Sequence, residues 1–347
     1  MNVQTPIPRA IIGFFFACSL LLGACRGQEG KERTGAFFSF SKNSKAAEEG
    51  VPKPPHPLSI EGLRERDFPV LGIELRNAVE ADEGLEAWDF TYDSEGYTIY
   101  GLLEKPAGAP PSPGGWPVII VAHGYIPPDI FVTSKNYRSV TKYFAKGGFL
   151  VLKPDYRGHD RSEGIGDAPI STIDYSIDVL NLIEQIDSVP DADAEKVFLF
   201  GHSMGGGIGL RVLTVTKKLR GATLWAATSK GFPENTRYFI ETERPKGVYS
   251  QELKEFRNVI EAIFTPDEYD SLDPGNYLDS IDVPILIHHG THDHIVPLEW
   301  STDLAEALEK AQADYTFYEY PGEDHNISVS YFKVMDRDME FFRGLIE

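Results

Sequence analysis

Short apolar runs alternate with helix-spaced segments along most of the chain, and this rhythm restricts the fold more than any other feature. PVIIVAHGY, FLVLKPDY, KVFLFGHS, GATLWAAT, PILIHHG and YTFYEYPG read as strands. The continuously apolar ones, bounded by Pro or Gly, have the pattern of strands buried on both faces of a parallel sheet. Residues 136–146 have helical spacing and stop at Gly147-Gly148. Residues 171–188 are helical too, with Ile173, Ile177, Leu180 and Ile183 or Ile186 on one stripe. Upstream, WDFTYD and TIYGLLEKP form a predicted hairpin over a turn at Ser94-Glu95-Gly96. The alternation predicts one α/β domain with a mostly parallel twisted sheet and helices on both faces. An apolar content of 41% is enough to fill its core.

Residues 229–276 break the rhythm. They are charged and aromatic, with Phe232, Tyr238, Phe239, Tyr249, Phe256, Phe264 and Tyr269, and contain no clear strand. A long insertion in a compact domain is usually functional, so a helical cap over an active site is expected. Helices packed on the sheet edge are the alternative.

The N-terminus is organised differently. AIIGFFFACSLLLGAC is apolar, follows Arg9 and is short for a membrane span, so residues 1–25 read as a signal peptide. Leu22-Gly23-Ala24-Cys25 resembles a bacterial lipobox, which makes Cys25 the expected lipidation site. An ordinary signal peptide or an uncleaved anchor is the alternative. The chain has two cysteines, Cys18 and Cys25, so an internal disulfide of the mature domain is not expected. Residues 26–57, ending in VPKPPHP, read as a flexible tether with a stiff end, and the α/β domain is expected over 58–347. Residues 58–87 are acidic and carry no clear pattern. The expected location is the cell envelope, through a lipid anchor, or otherwise secreted or periplasmic. A formal net charge of −20 argues against nucleic acid as a partner.

Gly201-His202-Ser203-Met204-Gly205 fits G-x-S-x-G and stands between an apolar strand and a helical stretch, the frame that this motif requires. The serine must stand on a sharp turn with its Oγ exposed, and the flanking glycines remove side chains that would clash there. The Met204 amide then faces a developing oxyanion at a helix N-terminus. A serine hydroxyl needs a base, and the base needs an orienting carboxylate. On such a sheet the chain order is Ser, acid, His.

HHGTHDH, residues 288–294, invites a metal reading. His288 and His289 are adjacent on a strand, however, and face opposite sides. His292 and His294 flank Asp293 in the following loop. A zinc site there would need further ligands in tetrahedral geometry. Asp293 is therefore read as the triad acid, and no metal or cofactor is assigned. His325, after the last strand, is read as the base, with Glu323 and Asp324 as rival acids. The loop His123-Gly124-Tyr125 follows a strand and offers the Tyr125 amide as second oxyanion donor, its phenol as a further one. His123, Asp155 and Arg157 are read as structural supports.

Asp155-Tyr156-Arg157-Gly158-His159, Gly201-His-Ser-Met-Gly-Gly, His289-Gly-Thr-His-Asp293-His-Ile-Val-Pro and Tyr320-Pro-Gly-Glu-Asp-His325 resemble the α/β-hydrolase superfamily. Within it, the likeness is closest to the catalytic domain of the prolyl oligopeptidase serine peptidases. The resemblance covers about residues 88–345. It implies Ser203 as nucleophile, Asp293 as acid and His325 as base, with no cofactor, acting on a peptide or an ester. The chain departs from that family in leaving too few residues between tether and domain for a β-propeller, which turns attention to small esters and short peptides. A carboxylesterase or lipase-like enzyme, a non-catalytic binding protein of the same fold and a metal-dependent hydrolase are the rival readings.

Overall fold

A computed structural model describes residues 54–243 and 249–346 of the chain. The expected signal peptide and Cys25, and most of the expected tether, lie outside the described residues. From Pro54 onward the chain forms one unit. His56, at the end of that tether, already packs at a tilt against Phe264 with ring centroids 4.8 Å apart.

The strands are β1 (Glu74–Ala78), β2 (Leu85–Ser94), β3 (Tyr97–Pro106), β4 (Trp116–Ala122), β5 (Leu150–Pro154), β6 (Ala192–His202), β7 (Leu219–Trp225), β8 (Ile285–Gly290) and β9 (Tyr315–Tyr320). They form one sheet in the order β1-β2-β3-β5-β4-β6-β7-β8-β9. β1, β2, β3 and β5 pair antiparallel, and every pair from β5 through β4 to β9 is parallel. The helices are α1 (Ile60–Arg64), α2 (Arg138–Lys146), α3 (Ser171–Glu184), α4 (Met204–Val215), α5 (Glu234–Glu243), α6 (Tyr249–Ile263), α7 (Tyr269–Leu272), α8 (Leu298–Lys310) and α9 (Tyr331–Gly344).

Burial follows the two-residue period of the strands. Val118 and Ile120 of β4 join a core layer with α3, α4 and α8. Ile119 and Val121 point the other way, into a layer with α2 and α9. All residues of β4 are buried, as a central parallel strand covered on both faces requires. The β2–β3 turn has positive φ at Glu95 (55°) and Gly96 (83°), the conformation that matches hairpin twist.

Two elements differ from the sequence expectation. β6 begins at Ala192 rather than near Lys196, because Ala192 and Asp193 pair with Trp116 and Pro117 across a register shift. β1 lies within the unpatterned 58–87 stretch. It is an edge strand, mostly exposed, so no apolar alternation marks it. Among the described residues, the segment over 229–276 contains α5, α6 and α7 and no strand. Phe232, Phe256, Ile260, Phe264 and Leu272 anchor it in the α4 core layer.

Candidate active site

The carboxyl ends of the parallel strands carry every candidate catalytic and oxyanion-hole residue. Tyr125 follows β4, Ser203 follows β6, Asp293 follows β8 and His325 follows β9. Ligands of open α/β sheets bind at this edge because strand order reverses there and leaves a crevice.

Ser203 occupies the single residue between β6 and α4, with φ 56° and ψ −120°. An L-residue at positive φ costs roughly 1–3 kcal/mol and persists only where its surroundings over-determine it. Here they do. The Ser203 N–H donates to the Trp225 carbonyl at 2.8 Å, and the Thr228 N–H donates to the Ser203 carbonyl at 3.1 Å. Glycine is required at 205 on steric grounds: a Cβ there would lie 2.0 Å from the Ala122 carbonyl oxygen. That close approach lets α4 begin directly against the end of β4. Met204 is the first residue of α4, where a backbone N–H has no intrahelical partner.

Asp293 and His325 meet. His325 Nδ1 lies 2.7 Å from Asp293 Oδ2. Asp293 Oδ1 accepts the Ile295 and Val296 amides at 2.8 and 3.0 Å. His289 Nε2 also approaches Oδ2, at 3.1 Å. Burial pushes the Asp293 carboxyl up, but hydrogen bonds from His289 and His325 outweigh it and hold the group well below the ordinary carboxylate range. Glu323 and Asp324 face elsewhere: Glu323 accepts the Val329 amide, and Asp324 accepts the Asn326 and Ser328 amides.

The histidine cluster divides as strand geometry dictates. His288 contacts the Tyr320 hydroxyl at 2.8 Å and Asp338 at 3.0 Å on one face of the sheet. His289 contacts Ser301 at 2.7 Å on the other. His292 and His294 are exposed. Among the described residues no three His, Cys, Asp or Glu side chains converge as metal ligands.

The Tyr125 phenol donates to Asp167 at 3.0 Å, which leaves its backbone amide as the oxyanion candidate. His123 is buried and stacked between Phe131 and Tyr156, at 4.5 and 4.2 Å. Burial first, and then its neighbour His159, hold its imidazole far below its usual pKa. Asp155 accepts from Lys153 and Thr133, and Arg157 holds Asp178 through its side chain and its amide. These are scaffold contacts behind the site.

Residues 135–346 match the sequence profile of the "Prolyl oligopeptidase family". The chain belongs to that family. It is a serine hydrolase of the α/β-hydrolase fold. It is similar to the uncharacterized peptidase YtmA of Bacillus subtilis (strain 168), 23% identical over 74% of this chain and 95% of the relative. The acylamino-acid-releasing enzyme of Rattus norvegicus is 25% identical over 74% of this chain but 34% of its own length. Among solved structures, acetyl xylan esterase 1 from Thermoanaerobacterium sp. JW/SL YS485 superposes with a TM-score of 0.61 at 18% identity. That match covers 83% of this chain and 94% of the esterase.

In this member of the prolyl oligopeptidase family, residues that sequence reading passed over also lie against the candidate site. His202, read only as the variable position of the elbow motif, turns its Nε2 to the His325 carbonyl at 3.2 Å. That carbonyl can only accept, so Nε2 carries the proton and Nδ1 is the acceptor. Nδ1 meets the Tyr137 hydroxyl. The same hydroxyl accepts the Gly124 N–H at 2.8 Å. Burial first, then the charge of His325, lower the His202 imidazole to about 3. His202 therefore stays neutral, as this bonding pattern requires. Tyr137 has φ 58°, a left-handed conformation at the start of α2 that no sequence pattern announces.

Proposed function

We propose that Ser203, His325 and Asp293 form the catalytic triad of an acyl hydrolase acting on small esters or short peptides. The observation that carries this reading is the 2.7 Å contact between His325 Nδ1 and Asp293 Oδ2, set beside the positive-φ elbow at Ser203. With Nδ1–H held by the carboxylate, Nε2 of His325 is the nitrogen that accepts the Ser203 Oγ proton. Oγ attacks the acyl carbon, and the oxyanion forms beside the Met204 and Tyr125 amides. His325 then returns the proton to the departing alcohol or amine. Water, deprotonated by the same nitrogen, cleaves the acyl-enzyme. Asp293 remains ionised throughout and stabilises the imidazolium.

The similarity to YtmA, a peptidase by name, and to an acetyl xylan esterase supports peptides and esters as the two substrate classes to test. The helical segment over 229–276 serves as a partial cap in this reading. Lipidation at Cys25, with attachment to the cell envelope, completes the proposal and follows from the sequence alone.

The test is fluorophosphonate labelling of the domain, compared with Ser203→Ala, with and without a chelator. Labelling that survives the chelator and disappears in the variant supports the triad. A folded wild type that does not label refutes it. p-Nitrophenyl esters and peptide p-nitroanilides then separate esterase from peptidase activity.

A further inference from the structure

A carboxylate accepts along about four lone-pair directions, and Asp293 has a donor for each. Oδ1 accepts the Ile295 and Val296 amides at 2.8 and 3.0 Å. Oδ2 faces His325 Nδ1 at 2.7 Å and His289 Nε2 at 3.1 Å. The side chains of Asp293 and His289 are fully buried, so water does not replace these partners. His289 is thus a second imidazole on the oxygen that holds the base.

The surroundings of His289 fix its tautomer. Nε2 also lies 3.1 Å from the Val296 carbonyl. Neither a carbonyl nor a carboxylate can donate, so Nε2 carries the proton, and it is shared between the acid and the acid's own loop. Nδ1 lies 2.7 Å from the Ser301 hydroxyl on α8, which ties the far side of the ring to the next helix. His289 belongs to β8, whereas Asp293 stands in the loop that follows. The direction of a strand side chain is set by the sheet, and a loop has no such constraint. The imidazole therefore gives the carboxylate a fixed reference on the sheet.

Two donors on one oxygen also compete for its charge. Burial pushes the Asp293 carboxyl up, and the contacts with His289 and then His325 bring it down. The titratable groups that face this cluster are His289 on β8, His325 in the loop after β9 with Asp324 beside it, and His202 at the end of β6.

We propose that His289 is a positioning residue of the triad, which holds Oδ2 of Asp293 in place and weakens its pull on a proton carried by His325, so that the base is free at lower pH. The proposal rests on the reading of Ser203, His325 and Asp293 as that triad. The sign follows from the geometry. Without the His289 donor, more of the negative charge on Oδ2 faces His325, its imidazolium is better stabilised, and the pH at which half of the base is free rises.

The experiment measures the rate of fluorophosphonate labelling of Ser203 from about pH 4 to 8 in wild type, His289→Asn and His289→Gln. Asparagine keeps an amide near Ser301 but is too short to reach Asp293, whereas glutamine can place an amide N–H where Nε2 stands. His289→Asn should raise the midpoint of the acid limb by about 0.5–1 unit and lower the plateau rate about 10-fold, the scale of one hydrogen bond to a charged group. His289→Gln should restore the wild-type midpoint. A lower plateau with an unmoved midpoint in His289→Asn marks a loss of packing alone and overturns the proposal, as does a midpoint raised equally in both variants. His289→Leu, measured in the same way, takes the place of an asparagine variant that fails to fold. A folded wild type that does not label overturns the triad reading and this proposal with it. A wild type that labels, beside a variant with an unmoved midpoint, overturns this proposal alone.

Discussion

The hydroxyl of Tyr137 is hydrogen-bonded to Nδ1 of His202, and this contact joins the loop after β4 to the end of β6 beside Ser203. On one side the Tyr137 oxygen accepts the Gly124 amide, next to the candidate oxyanion donor Tyr125. On the other, His202 donates to the backbone of His325. One partly buried phenol and one neutral imidazole thus fix the relative positions of three separate candidate catalytic segments.

Tyr137→Phe should lower kcat about 10- to 100-fold with KM changed by less than about 3-fold, because the lost bond aligns groups used in the transition state. Steady-state kinetics on a p-nitrophenyl ester, beside a thermal melt, check this. A drop in melting temperature with kcat unchanged would assign the pair a purely structural role.

Asp293→Asn should reduce kcat/KM by about 1,000- to 10,000-fold, since an amide no longer fixes the tautomer or stabilises the imidazolium of His325. Glu323→Gln should stay within about 3-fold of wild type, because its oxygen accepts the Val329 amide rather than touching His325. Equal losses in both variants would contradict the assignment of the acid.

His202 makes stability depend on pH. Its folded pKa, about 3, lies below the ordinary 6.5, so the unfolded chain binds the extra proton between those values. The contribution is complete above pH 6.5 and is lost as pH falls toward 3. The stability difference between wild type and His202→Gln should therefore shrink by about 1.4 kcal/mol per pH unit below 6.5. Urea unfolding at pH 7, 6, 5 and 4 measures it, and a constant difference would contradict the neutral buried imidazole.

Gly205→Ala should yield little folded protein, or a melting temperature lowered by at least about 10 °C. The new Cβ would meet the backbone oxygen of Ala122, which cannot move without displacing β4. Expression level and a thermal melt are sufficient readouts.

The sequence by itself determined the strand–helix rhythm, the mostly parallel sheet and the candidates Ser203, Met204, Asp293, His325 and Tyr125. These are local signals. A buried parallel strand must be continuously apolar, and an elbow between strand and helix must be small on both sides of its serine. It also separated His288 from His289, because adjacent strand residues point to opposite faces. Tertiary structure decided what depends on distant pairing. β1 is an edge strand with no burial pattern to read, and β6 is extended by its pairing with Trp116 and Pro117. The Tyr125 phenol is taken up by Asp167, and the carboxylate that the fold brings to Nδ1 of His325 is that of Asp293. Tyr137 and His202 have ordinary sequence surroundings. Their roles arise because buried polar groups must find partners, and those partners lie on segments that only the folded chain brings together.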